Sequence, residues 1–188
     1  MATPNGPHSE IANEPKYWLE KASNLHAAAG ALWYCMQNNA AQGIAPALGL
    51  GDAVDMTTAA WRVYRMLCGM ALELAYKAIA VAQGKIVLQV HNLVELAEHA
   101  GVPLLKARDI RLLHLLTECI VWDGRYPIPK SADALEYFTY LTYESLYRKE
   151  QTGERSWALK PLESDPFDWE QFQDFWNQAT ASFEWMQS

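Results

Sequence analysis

TTAAWRVYRMLCGMALELAYKAIAVAQ, residues 57–83, is the stretch that decides the fold. Read at about 100° per residue, Leu67, Met70, Ala71, Leu74, Ala75, Ala78 and Val81 share one very wide apolar arc. Arg62, Arg65, Gly69, Glu73, Tyr76 and Lys77 fill the narrow remaining side. A helix apolar around most of its circumference has partners on several sides, so the pattern predicts a central helix. Its polar stripe is the first place to look for function. Asp55 or Thr57 starts this helix and Gly84 is placed to end it.

Upstream, Trp18, Ala22, Leu25, Ala29, Leu32, Trp33 and Met36 repeat at helical spacing, with Asn13 as a cap and Pro15 in the first turn. That predicts a first helix over residues 14–39. Residues 1–12 are polar, with Pro and Gly, and read as a disordered arm. Residues 40–56 carry three Gly and a Pro and read as a long connection.

Downstream, residues 85–90 form a short link able to run extended. A helix opened by His91 or Asn92 covers NLVELAEHA and stops at Gly101. Another runs from Pro103 to Trp122 through Leu112, Leu113, Leu116 and Ile120. In the sequence DGRYPIP, residues 123–129, Gly124 breaks the helix and each Pro biases its predecessor to an extended conformation. A helix with an aromatic ladder at Tyr137, Tyr140, Tyr143 and Tyr147 follows, from Ser131 to Thr152. Residues 153–164 read as a second loop, and Asp165 with Pro166 launches a last helix bearing Phe172, Phe175, Trp176, Phe183 and Trp185. No run alternates with period two, so the class is all-α. The organisation is a bundle over residues 13–152, and a loop and an aromatic, acidic helix over 153–188 packed on it.

Composition narrows the function classes. The chain has 188 residues, 51% hydrophobic and 20% charged, as expected of one globular domain rather than a disordered chain. A formal net charge of −7 argues against a general nucleic-acid coat, though not against a small basic site. Cys35, Cys68 and Cys119 are far apart, without metal-ligand spacing, and read as buried free thiols of a reducing compartment. Neither a signal pattern nor an apolar run of spanning length is present in the sequence. The expectation is a cytoplasmic protein with no membrane, metal or cofactor.

The segment Leu72-Glu73-Leu74-Ala75-Tyr76-Lys77-Ala78, then Gln83-Gly84, then His91-Asn92-Leu93-Val94-Glu95-Leu96, then Gly124-Arg125-Tyr126-Pro127 resembles the HEPN domain family over residues 61–149. The resemblance implies an up-and-down bundle of about five to six helices, with the last helix as a C-terminal extension. It also implies a homodimer and a role in prokaryotic defence, toxin–antitoxin systems or nucleotide transfer. Many relatives are metal-independent ribonucleases that join an Arg and a His across the dimer. Arg125 stands where that Arg belongs, but the following YPIPKSADA holds no His. The expectation is therefore a protein that binds RNA or nucleotide in a polar groove without the standard catalytic pair. Arg108 and His114, in RDIRLLH, have the spacing but lie one segment early. They are the alternative ribonuclease pair.

The residues themselves support one groove. Arg62 and Arg65 lie a turn apart, and Gly69 a turn further on leaves room for a phosphate or carboxylate to approach. Glu73 and Lys77 form an i, i+4 pair in the favourable order. Tyr76, Lys77 and His91 extend the lining, Arg125 supplies an anion contact and Tyr126 a stacking face. A competing class is a non-catalytic dimer whose Tyr- and Trp-rich faces bind a cognate protein partner.

Overall fold

The computed structural model describes residues 11–37, 40–51, 54–103, 106–151, 157–161, 167–181 and 183. In chain order its elements are α1 (Pro15–Gln37), α2 (Ala40–Ala47), α3 (Met56–Ala82), α4 (Leu93–Ala100), α5 (Ala107–Glu118), α6 (Ala132–Leu146), β1 (Tyr147–Gln151), β2 (Trp157–Pro161) and α7 (Trp169–Thr180). The core is a bundle of helices, as the periodicities predict.

α3 is its axis. It packs along α1 and also meets α2, α4, α5 and α7. Tyr64, Cys68, Ala71, Leu72, Ala75, Ala78 and Ile79 are all buried there. The ends are set locally. The Asp55 carboxylate accepts from Thr57 N–H at 3.0 Å. At the other end Gly84 takes φ 68°, and Lys85 N–H closes back on Ala80 O at 2.9 Å. Asn92 caps α4 by accepting from Val94 N–H and Glu95 N–H, at 3.1 and 3.3 Å.

Several expectations are corrected. The expected connection over residues 40–56 contains α2, whose alanine-rich sequence holds a short helix even with Pro46 inside it. The helix expected to reach Thr152 stops at Leu146. From there β1 pairs antiparallel with β2, Tyr147 opposite Pro161 and Gln151 opposite Trp157, where a helix end and a loop were expected. Arg148, Lys149 and Glu150 are good helix formers, and antiparallel pairing with the next segment of the chain overrides that preference. The all-α expectation thus holds for the bundle and misses this ribbon.

At the start of the chain, residues 1–10 of the expected arm lie outside the described residues, and residues 11–13 form a helical turn whose Ala12 carbonyl accepts from Trp18 Nε1 at 3.0 Å. The expected launch of the last helix, Asp165 and Pro166, also lies outside them. Asp168 caps α7 instead, accepting from Gln171 N–H at 2.8 Å.

α7 belongs to the main core. Phe172, Phe175, Trp176 and Ala179 are buried in one cluster with residues of α1 and α3. Its key contact is His26 of α1, which stacks on Trp176 at 4.4 Å and 17° and lies 5.2 and 5.4 Å from the Trp169 and Phe172 rings. Each large side chain buried this way contributes about 1.5–3 kcal/mol.

Candidate functional site

The polar stripe of α3 is mostly buried. Arg65, Glu73, Tyr76 and Lys77 are all inside, where the sequence pattern put an accessible edge. Gly69 explains why. A Cβ on it would lie 2.9 Å from Ile120 Cγ1 and 3.1 Å from the Leu116 carbonyl oxygen. The space expected for an anion is filled by the end of α5, which crosses α3 there. This crossing divides the stripe into two sites.

The first site lies toward the start of α3. Beyond Glu118, α5 widens into a π-helical turn, Cys119–Asp123, closed by Gly124 N–H on Cys119 O at 3.0 Å. Such turns recur at functional positions. This one carries the Asp123 carboxylate to Arg62, with Nη1 and Oδ1 3.4 Å apart. The Asp123 side chain is 4% exposed and that of Arg62 59%. Burial pushes the Asp123 carboxyl up, while Arg62 and Arg65 pull it back down. Arg65 lies 4.4 Å over the Trp61 ring.

Two residues past Asp123, Arg125 donates from Nη2 to Val121 O and sits 5.4 Å over the Tyr126 ring. Tyr126 is 56% exposed. The bend therefore offers two accessible guanidiniums, Arg62 and Arg125, beside an open aromatic face. Gly124 presses so close to Met66 that a Cβ would come within 2.6 Å, which fixes the bend on α3.

The second site lies toward the end of α3. Glu73 is buried with one oxygen 2.7 Å from Lys77 Nζ and the other 3.0 Å from His91 Nδ1. Lys77 and Glu73 are each 9% exposed, while His91 is 59% exposed. A buried carboxylate thus orients an imidazole whose other edge is open, an arrangement suited to proton transfer. Eleven residues separate Arg62 from Glu73, about 16 Å of helix rise, with the two on the same side of α3.

Set beside protein-family models, curated proteins and solved structures, the chain matches none of them.

The predicted residues thus fall into groups. Arg125 and Tyr126 stand together on the bend, which Arg62 meets through Asp123; Glu73, Lys77 and His91 gather beyond the crossing. Tyr76 joins neither, being 1% exposed, with a hydroxyl that has no hydrogen-bond partner among the described residues and a pKa raised by burial. Arg108 and His114 stand six positions apart on α5, about 120° around its axis, and His114 turns its ring toward Tyr137 at 6.4 Å. One chain does not bring that pair together.

All three thiols are free, but only Cys68 and Cys119 are buried as the sequence suggests, while Cys35 is half-buried; burial pushes the Cys119 thiol up to about 12. Among the described residues, no group of three or more His, Cys, Asp or Glu is placed to hold a metal, and no helix is long and apolar enough to cross a membrane.

Sequence reasoning missed two positions. The sequence offers Asp123 as a turn residue and a partner for Arg125, whereas it pairs with Arg62 and Arg125 takes a helix carbonyl instead; His26 is not singled out at all. His26 does sit on the helical repeat of Ala22 and Ala29, which was the available signal.

Proposed function

We propose that this chain is a HEPN-like protein of a prokaryotic defence or toxin–antitoxin setting that binds RNA or a nucleotide through Arg62, Arg125 and Tyr126, without the standard Arg/His ribonuclease pair. The single observation that carries the reading is the Arg62–Asp123 ion pair, which ties the bend bearing Arg125 and Tyr126 to the start of α3. Guanidiniums suit phosphate oxygens, and the exposed Tyr126 ring suits a splayed base. The order of the HEPN-like motifs supports the biological setting, and a homodimer goes with it.

The test is binding of fluorescent single-stranded RNA across a salt series. Arg62→Gln and Arg125→Gln should each weaken binding and flatten its salt dependence. Tyr126→Ala should weaken it with the salt slope unchanged. Equal binding by all four proteins, or none by any, sinks the reading.

A second reading has its own observation, the 3.0 Å contact from Glu73 to the exposed His91. In it His91 is a general acid–base and the chain cleaves RNA without metal. Metal-free cleavage by the wild type that is lost in His91→Gln would favour it. Cleavage unchanged in His91→Gln, or absent from the wild type, would remove it.

A further inference from the structure

α6 has two unlike faces. Phe138, Leu141 and Ser145 turn inward, with Leu141 and Ser145 buried and the Phe138 ring edge-on to Trp122 at 4.9 Å. At about 100° per residue, Asp133, Glu136, Tyr137, Tyr140, Tyr143 and Glu144 share the opposite arc, about 120° wide and centred on Tyr140. All six are exposed. Tyr137, Tyr140 and Tyr143 leave 41%, 54% and 48% of their surface open to solvent. Three tyrosine rings on one outer arc are apolar surface of the kind that interfaces collect.

The charge on this arc has one sign. α6 holds no Lys, Arg or His, and Lys130 and Arg148 lie beyond its two ends. Among the described residues, Asp133, Glu136 and Glu144 form no ion pair. Asp133 and Glu144 stand about 16 Å apart along the axis, with the rings between them. Glu118 of α5, which accepts from Trp122 Nε1 at 2.8 Å, adds to the same field. Burial first, then Glu118 and Tyr140, push the Tyr137 pKa up.

We propose that this face docks an arginine-rich segment of a partner protein, with guanidiniums lying over the Tyr137, Tyr140 and Tyr143 rings and donating to Asp133, Glu136 and Glu144. The carboxylates fix the sign of the occupant. The rings favour guanidinium over ammonium, since a planar cation stacks on an aromatic face while it bonds a carboxylate. Nucleic acid meets repulsion from the same carboxylates. A second copy fits no better. Antiparallel about Tyr140, two α6 helices set Glu136 of one copy against Glu144 of the other; parallel, they set each carboxylate against its own counterpart. The face shares no residue with the Arg62, Arg125 and Tyr126 reading and stands without it.

The test titrates the full chain with fluorescent hexaarginine, hexalysine and hexaglutamate at about 0.15 M salt, where diffuse surface attraction is screened. Hexaarginine should bind most tightly and hexaglutamate least. Glu136→Gln with Glu144→Gln should weaken hexaarginine binding about tenfold. Glu20→Gln with Glu98→Gln removes the same charge from exposed positions on α1 and α4, and should change binding by less than about twofold. Tyr140→Leu keeps apolar bulk without the ring, and should cost about threefold for hexaarginine and less for hexalysine. Thermal melts should stay in place, since every replaced side chain is exposed. If Tyr140→Leu does not fold, the two glutamine pairs still decide. Equal losses from those pairs would reduce the attraction to net charge and overturn the proposal. So would equal binding of hexaarginine and hexalysine, or no binding at about 1 mM. Self-association or RNA binding of the wild type that Tyr140→Leu abolishes would also overturn it, giving the face to another occupant.

Discussion

Ile120 sits against Gly69 so closely that a single added methyl on the glycine would lie 2.9 Å from it. This contact lets α5 cross α3 at close range, and it separates the Arg62 end of the polar stripe from the Glu73 end. Gly69→Ala should therefore destabilise the fold. Overpacking costs about 1–3 kcal/mol and the gain in helix propensity returns about 1, leaving a net loss of up to about 2. Urea unfolding measures it, and adding Ile120→Val should restore part. A Gly69→Ala protein as stable as the wild type would show that the crossing yields freely.

Glu73 balances the buried Lys77 ammonium. Glu73→Ala leaves that charge inside without its counter-ion and should cost about 3–5 kcal/mol. His91→Ala, at the exposed side of the same carboxylate, should cost less than about 1. The double replacement Glu73→Leu with Lys77→Met removes both charges and should recover most of the loss. Denaturation midpoints of the four proteins compare these directly, and equal effects of Glu73→Ala and His91→Ala would contradict the burial difference.

Acid should loosen the docking of α7. Burial in the ring stack lowers the His26 pKa below its usual 6.5, and the Gln173 contact opposes that shift only in part. The unfolded chain takes up a proton near pH 6.5 and the folded chain only at lower pH. The stabilisation is thus present above about 6.5 and declines as pH falls below it. Denaturation followed by Trp fluorescence should show midpoints dropping from pH 7 to pH 5. His26→Phe keeps a ring in the stack and should flatten that slope; an unchanged slope would assign it to other groups.

Asn92 is the cap of α4, since its side chain accepts from two first-turn amides while His91 turns to Glu73. Asn92→Ala should cost about 1 kcal/mol, and Asn92→Asp should be nearly neutral. Thermal melts distinguish this from a cap supplied by His91, which would leave Asn92→Ala silent.

The sequence alone determined whatever closes within a turn or two of helix. The central helix shows in its wide apolar arc, its start at Asp55 or Thr57 and its end at Gly84, and α4 in a start at His91 or Asn92 and a stop at Gly101; the fold chooses Asp55 and Asn92 as the caps. The Glu73–Lys77 pair is equally legible, because four residues bring two side chains together wherever a helix forms. Tertiary structure decided the rest. Gly69 reads as an open place on a polar face until Ile120, fifty-one positions later, fills it. Arg62 and Asp123, and His26 and Trp176, likewise meet across long stretches of chain. Periodicity reports which face of a helix is apolar, not which neighbour arrives there or at what height. One groove in the sequence therefore became two sites in the fold, divided by a helix crossing that only packing could place.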